Sequence, residues 1–291
     1  MKRTKTKLGT TSAWMVAAWV GASLLGCGPA GEDSTQRQEV TVQFAAQVGE
    51  EPFACGETYQ GLGVTETTFE PFDFRLYVSE IELRDEEGNW RVLELDQDTP
   101  WQHENLALLD FEDRSGRCSN GTTETRDMVT GFLEGEQSLA GLRFVLGVPF
   151  ELNHIDASTA PSPLNQTALF WNWLGGYKFV RLEGATQGLE TGWQFHLGST
   201  NCLPGEGGGA QSCENGNRVV VEFEDFQPGD NTVIFDVAAL VADSDLDAST
   251  ENTPQGCMAG TDDPDCTALF GALGLPHGGV ASEEQSFIRM K

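Results

Sequence analysis

From residue 40 to residue 48 every second side chain is apolar: Val40, Val42, Phe44, Ala46 and Val48 are separated by polar or small residues. A period of two puts the apolar set on one face of an extended chain, which is the pattern of a half-buried strand. Phe72, Phe74, Leu76 and Val78 repeat it, and Ile81 and Leu83 continue in the opposite phase, which predicts a bulge between them. The polar run Asp85-Glu86-Glu87-Gly88-Asn89 then leads into Trp90-Arg91-Val92-Leu93, a hairpin signal. Further strands are expected over 142–148, 177–182, 192–197, 218–226 and 232–240. Many short strands separated by turn residues indicate a sandwich or barrel. The expected fold is an all-β, antiparallel β-sandwich with one short helix and a disulfide-stapled C-terminal extension. That helix is expected from Ser162, as its cap, to Trp173: Pro163 suits the first helical position and Gly175-Gly176 can end it.

The N-terminus carries Lys2, Arg3, Lys5 and Lys7, then an apolar run from Ala13 to Leu25, then Leu24-Leu25-Gly26-Cys27. The run is short for a membrane span and a polar linker follows it, so residues 1–26 read as a cleaved signal peptide with a bacterial lipobox. Cys27 would be lipidated, and residues 27–38 would tether a β domain spanning 39–245, with 246–291 as the stapled extension. Gly28 follows the cysteine where an acidic residue would signal inner-membrane retention. The expected address is therefore the periplasm or cell surface, anchored to the outer membrane. The formal charge of −28 becomes more negative once the basic leader is removed, and such a surface repels nucleic acid and anionic lipid. Six cysteines remain: Cys55, Cys118, Cys202, Cys213, Cys257 and Cys266. An even number in an exported chain without Cys-x-x-Cys implies disulfides. Local closure suggests Cys202–Cys213 and Cys257–Cys266, leaving Cys55–Cys118, among fifteen formal connectivities.

Only four histidines are present. His103 lies two residues from Trp101 in Trp101-Gln102-His103, so on a strand the indole and imidazole would project side by side. His154 and His196 are the other candidate ligands, and three imidazoles converging at a sandwich rim would suit Cu(I). His277, beside Pro276 and Gly278-Gly279, reads as structural. Trp193 is three residues from His196, hence on the opposite strand face, while Trp171 and Trp173 either close the core or form a sugar-stacking platform. Asp243-Ser244-Asp245-Leu246-Asp247 begins like a calcium loop. It has Ala248 at the sixth position and Pro254 at the twelfth, so any calcium there would be adventitious. Gly-x-Ser-x-Gly, His-Glu-x-x-His and Cys-x-x-Cys-His motifs are all absent, which leaves hydrolysis, zinc proteolysis and haem attachment unsupported. The chain is expected not to be an enzyme.

Several stretches taken together resemble the MbnP-like family, also called the metallo-mystery pair four-Cys motif family. They are Phe74-Arg75-Leu76-Tyr77-Val78-Ser79, Leu152-Asn153-His154, Phe170-Trp171-Asn172-Trp173 with Gly176-Tyr177-Lys178-Phe179, and His196-Leu197-Gly198-Ser199-Thr200-Asn201-Cys202. Asp236-Val237-Ala238, Gly256-Cys257-Met258 and Asp263-Pro264-Asp265-Cys266 extend the likeness over about residues 39 to 275. The family is similar to the copper-binding proteins MopE and CorA. The resemblance implies a Cu(I) site built from histidines and a kynurenine, formed from tryptophan by a di-haem cytochrome c peroxidase-like partner. It maps the tryptophan onto Trp101 and the imidazoles onto His103 and His154, with His196 as a third candidate. The implied role is copper acquisition, storage or handover. The alternative is a non-enzymatic carbohydrate-binding or adhesion lipoprotein that stacks ligand on Trp171 and Trp173.

Overall fold

The computed structural model describes residues 37–206, 208–282 and 284–291. The expected signal peptide, the lipidated Cys27 and the tether up to residue 36 lie outside the described residues. Two sheets form the body. The first runs, edge to edge, Ile288–Met290, Thr232–Asp236, Arg37–Val48, Met128–Glu134, Glu94–Leu95, with Glu51–Pro52 folded back on the end of its central strand. The second runs Trp193–Leu197, Val180–Ala185, Thr67–Asp85, Leu139–Leu146, Val219–Phe223, and four short strands join it. Pairing is antiparallel except between Arg37–Val48 and Thr232–Asp236, which run parallel. The all-β sandwich is as expected.

The apolar alternation does what its period predicts. Val40, Val42, Phe44, Ala46 and Val48 are all buried. The Phe44 ring sits 5.8 Å from Phe235 within its own sheet and 5.7 Å from Phe144 on the facing one. Fully burying such a side chain contributes roughly 1.5–3 kcal/mol. The phase change also appears. The register of Thr67–Asp85 against Leu139–Leu146 shifts between Ser79 and Glu82, where Glu80 has a φ of 53° and its side chain points to solvent. The hairpin at 85–89 is closed by Asp85, which accepts from the Asn89 N–H at 2.7 Å. All three disulfides pair as local closure suggests: Cys55–Cys118, Cys202–Cys213 and Cys257–Cys266.

Two secondary-structure expectations need correction. Residues 162–173 do not form a helix: a 3₁₀ turn at Thr167–Leu169 gives way to the strand Phe170–Asn172, paired with Gly176–Tyr177. Tertiary contacts override the capping signal here, because Lys178 and Arg181 both donate to the Ala168 carbonyl (3.1 and 3.0 Å) and Phe170 packs on Tyr177. The strand expected over 232–240 stops at Asp236, whose carboxylate accepts from the N–H groups of Ala238 and Ala239 and starts the helix Val237–Val241. That helix, Phe150–Asn153 and Thr267–Ala272 are the described α-helices.

The last residues belong to the sandwich itself. Phe287 is fully buried, its ring 5.5 Å from Phe235 and 6.5 Å from Phe74, and Ile288–Met290 adds an edge strand. A second tie between the sheets comes from Gln102. Its side-chain amide donates to the carbonyls of Asp96 and Thr130, and its oxygen accepts from the Thr130 N–H, at 2.8 to 2.9 Å.

The Thr67–Asp85 strand departs from simple alternation, because from Asp73 to Ser79 every side chain is buried. One face meets the sandwich core; the other is covered by chain from 110–121 and 163–178. Tyr77 donates to the Pro163 carbonyl and Tyr177 to that of Leu164. Under this cover lies a layer of charge. Arg75 grips Asp73 through two nitrogens, Arg181 bridges Asp73 (3.1 Å) and Glu183 (2.8 Å), and Glu183 meets His196.

Candidate metal centre

His154 ends the Phe150–Asn153 helix and lies partly exposed against the Phe150 ring. Its Nδ1 is 3.4 Å from the Trp173 carbonyl, an acceptor, so Nδ1 carries the proton. Its Nε2 accepts from the Asn153 amide at 3.2 Å and stands 3.5 Å from Cys213 Sγ. Burial pushes the imidazole below its ordinary pKa, against the smaller opposing effect of the Trp173 carbonyl, so it is neutral near pH 7 with a lone pair on Nε2.

His196 reaches the mirror-image state. It sits buried on Trp193–Leu197, with Nε2 2.6 Å from Glu183 Oε1. Burial pushes the Glu183 carboxyl up, but hydrogen bonds from His196 and Arg181 together outweigh it and hold it down at about 2. An ionised acceptor on Nε2 fixes the proton there and leaves the lone pair on Nδ1. That Nδ1 is buried and finds no hydrogen-bond partner among the described residues. A carboxylate holding one nitrogen of an imidazole whose other nitrogen is free is the arrangement that orients metal-binding histidines.

One short hairpin touches both imidazoles. Trp173 offers its carbonyl to His154, and the Trp171 ring lies 6.4 Å from that of His196. Two glycines make the close fit possible. A Cβ at Gly198 would fall 2.5 Å from the Trp171 ring, and one at Gly176 (φ 74°) would strike Asn153. Asn153 holds the assembly, accepting from the Tyr177 N–H and donating to His154 and Ser199. Beside it opens a cleft lined by Trp171, Leu174, Ser199, Asn201, Cys202 and Met258.

The other expected site residues lie elsewhere in the bonding pattern. Trp101 is partly buried against the core, and His103 pairs with Leu106 in a two-residue strand, its Nε2 3.6 Å from the exposed Glu104 carboxylate. His277 has both nitrogens engaged, Nδ1 with Thr267 and Nε2 with the Gly260 carbonyl, which is a structural role. In the acidic turn, Asp245 accepts from the N–H groups of Asp247 and Ala248, and Asp247 from Thr67 and Gly188. Those carboxylates organise the loop. Among the described residues, no group of three donors within 4.8 Å of one another contains more than one histidine. The structure therefore does not gather His103, His154 and His196 into one three-ligand cluster.

The MbnP family profile matches residues 37–259. The chain belongs to the MbnP family. No curated protein matches this MbnP-family chain. Among solved structures it is similar to MbnP from Methylosinus trichosporium, with a TM-score of 0.79 and 30% identity, covering 88% of this chain and 98% of that one. The family match spans both ligand-competent imidazoles and the tryptophan hairpin between them.

Asn153, Glu183, Arg181 and Asp73 were not identified as site residues from sequence. Asp73, Arg181 and Glu183 show only as the pairs Asp73-x-Arg75 and Arg181-x-Glu183, which share a strand face but look like an ordinary solvated one, and Asn153 only as a member of Leu152-Asn153-His154. Burial of that layer has a measurable consequence at Asp110. Burial pushes its carboxyl from 3.8 to about 7, against its hydrogen bond from Glu112 N–H and the charge of Arg75, with Asp73 and Glu112 adding to the rise. Between about pH 4 and pH 7 the folded chain thus holds a proton that the unfolded chain has released. Asp110 stabilises the fold below that window and loses its contribution as pH rises through it. Asp110→Asn should remove this descending component from urea-unfolding free energies measured across pH 4–8. Parallel pH profiles for the two proteins would contradict it.

Proposed function

We propose that this protein binds copper as cargo, as Cu(I), through His154 and His196, for acquisition, storage or handover. The observation that carries the reading is the state of the two imidazoles: each has one nitrogen held by an oxygen acceptor, which leaves His196 Nδ1 buried without a partner among the described residues and His154 Nε2 as an acceptor that the Asn153 amide now occupies. Neutral imidazole donors at low coordination number suit Cu(I), so the residues present fit the ion. The protein's part is to hold tautomer and ring orientation through Glu183, Asn153 and the Trp173 carbonyl, and to exclude water from the buried His196.

A third nitrogen donor can come from a tryptophan oxidised to kynurenine by a di-haem peroxidase-like partner, since opening the indole exposes an aromatic amine. Trp171, beside His196, is the better placed candidate; Trp101, beside His103, is the second. Peptide mapping of protein produced with and without the partner distinguishes them by which tryptophan peptide changes mass. Lipidation of Cys27 would hold the protein at the outer membrane as a binder rather than an enzyme. Loss of lipid labelling in Cys27→Ser tests that step.

In competition with a chromophoric Cu(I) chelator, His154→Ala and His196→Ala should each weaken binding at least tenfold, about 1.4 kcal/mol. His277→Ala should leave affinity unchanged, and His103→Ala reports whether the Trp101 turn contributes. Equal affinities for the His154, His196 and His277 variants would overturn the assignment. Trp173, half exposed at 50%, supports a second reading in which a glycan stacks on its ring. Glycan binding lost in Trp173→Ala and indifferent to copper would favour it.

A further inference from the structure

The Cys202–Cys213 disulfide differs from the other two in ways that bear on function. Cys55, Cys118, Cys257 and Cys266 are buried, whereas Cys202 and Cys213 are both partly exposed, facing each other across the hairpin formed by Thr200–Pro204 and Ala210–Asn215. A reductant can reach this bond first. The hairpin leans over His154: Cys213 Sγ lies 3.5 Å from His154 Nε2, and a Cβ at Gly209 would come within 3.1 Å of the His154 carbonyl. The three potential ligand atoms of His154, Cys202 and Cys213 already lie within 4.8 Å of one another.

We propose that Cys202, Cys213 and His154 form a redox-gated site, closed as a disulfide and, once reduced, binding a soft d10 cation of the Zn(II) type through two thiolates and one imidazole. The spacing fits. A metal ~2.3 Å from sulfur and ~2.0 Å from nitrogen in tetrahedral geometry spans an S···N edge of roughly 3.5 Å, the separation that Cys213 and His154 already have. The His154 tautomer fits as well: its proton is on the Nδ1 that faces the Trp173 carbonyl, and the unprotonated Nε2 lies beside the sulfur, where a metal would displace the Asn153 amide. A fourth position stays open for water or a partner's ligand. Among the described residues the other cluster of this kind, Glu112 with Cys55 and Cys118, is buried and less accessible to a reductant.

The chemistry balances with a dithiol as reductant. The S–S bond breaks, the protein takes two electrons and two protons, and the dithiol leaves as its own disulfide. Metal binding then forms two metal–sulfur bonds and one metal–nitrogen bond and releases both thiol protons to water. Competition with copper for His154 rests on the copper reading above; the thiolate site itself does not.

The test uses the mature protein, with the Cys202–Cys213 bond reduced under limiting dithiol and the products mapped by alkylation and mass. Thiols should appear at Cys202 and Cys213 while the other two disulfides persist. Co(II), the spectroscopic stand-in for Zn(II), should then give a thiolate-to-metal charge-transfer band and tetrahedral d–d bands, both bleached by Zn(II). The band should be missing from the oxidised protein and from Cys202→Ser/Cys213→Ser. His154→Ala should weaken Zn(II) at least tenfold, and His154→Cys should restore affinity and intensify the band. Selective reduction without a charge-transfer band, or a band of equal affinity in His154→Ala, would overturn the proposal. Because thiolate bands report only this site, failure of oxidised-state copper binding remains a separate result.

Discussion

Asp73→Ala should cost roughly 3–5 kcal/mol of folding stability, the range expected when one partner of a buried ion pair is removed. Asp73 is fully buried and neutralises two cations at once, Arg75 at 2.8 Å through Nε and Arg181 at 3.1 Å. The substitution leaves Arg75, only 1% exposed, without its gripping carboxylate and returns Arg181 to Glu183 alone. A guanidinium cannot lose its proton to escape the cost, as a buried lysine could. The exposed pair Arg37–Glu94, with side chains 46% and 73% accessible, is the internal control: Glu94→Ala should stay within about 0.5 kcal/mol of the parent. Urea midpoints at unchanged slope measure both. A loss below about 1 kcal/mol for Asp73→Ala would mean that water already reaches the layer.

Replacing Cys55 and Cys118 together with serine should have an effect of similar size. The bond closes a loop of 63 residues, and the chain-entropy relation gives roughly 4 kcal/mol for a loop of that length against roughly 2.5 kcal/mol for one near ten residues. The Cys257–Cys266 bond, with a separation of 9, supplies the comparison. A local packing effect adds to the first. Cys55 and Cys118 hold the 110–121 segment, with its Asp110 and Glu112, as a cover over Arg75. At its edge Gly116 packs so closely that a Cβ would come within 2.3 Å of Gly56. Thermal unfolding of the two double variants should rank them in that order. The reverse order would show that loop closure does not dominate.

Much of the sandwich was legible residue by residue. The period of two from Val40 to Val48, the phase flip after Val78 and the hairpin at 85–89 are local patterns, and each is found where its chemistry predicts. The cysteine pairings followed from separation alone. The 162–173 segment was misread because Ser162-Pro163 is a sound helix-start signal taken in isolation. What defeats it is a carbonyl at Ala168 claimed by Lys178 and Arg181, and an aromatic strand pair between Phe170 and Tyr177. Gln102 shows the same limit. Nothing in its place between Trp101 and His103 marks its role, yet it is 2% exposed and stitches the sheets through Asp96 and Thr130.

By itself the sequence determined the strand period, the disulfide frame and the short roster of imidazoles and tryptophans from which a metal site could be made. Only the tertiary structure decided that Asp73, Arg75, Arg181 and Glu183 face inward, and which imidazole nitrogen is left with a lone pair. The first set depends on neighbours a few residues apart, which side-chain order along the chain records directly. The second depends on partners such as Glu183 for His196 and Trp173 for His154, which meet only once separate strands and loops have packed and excluded water.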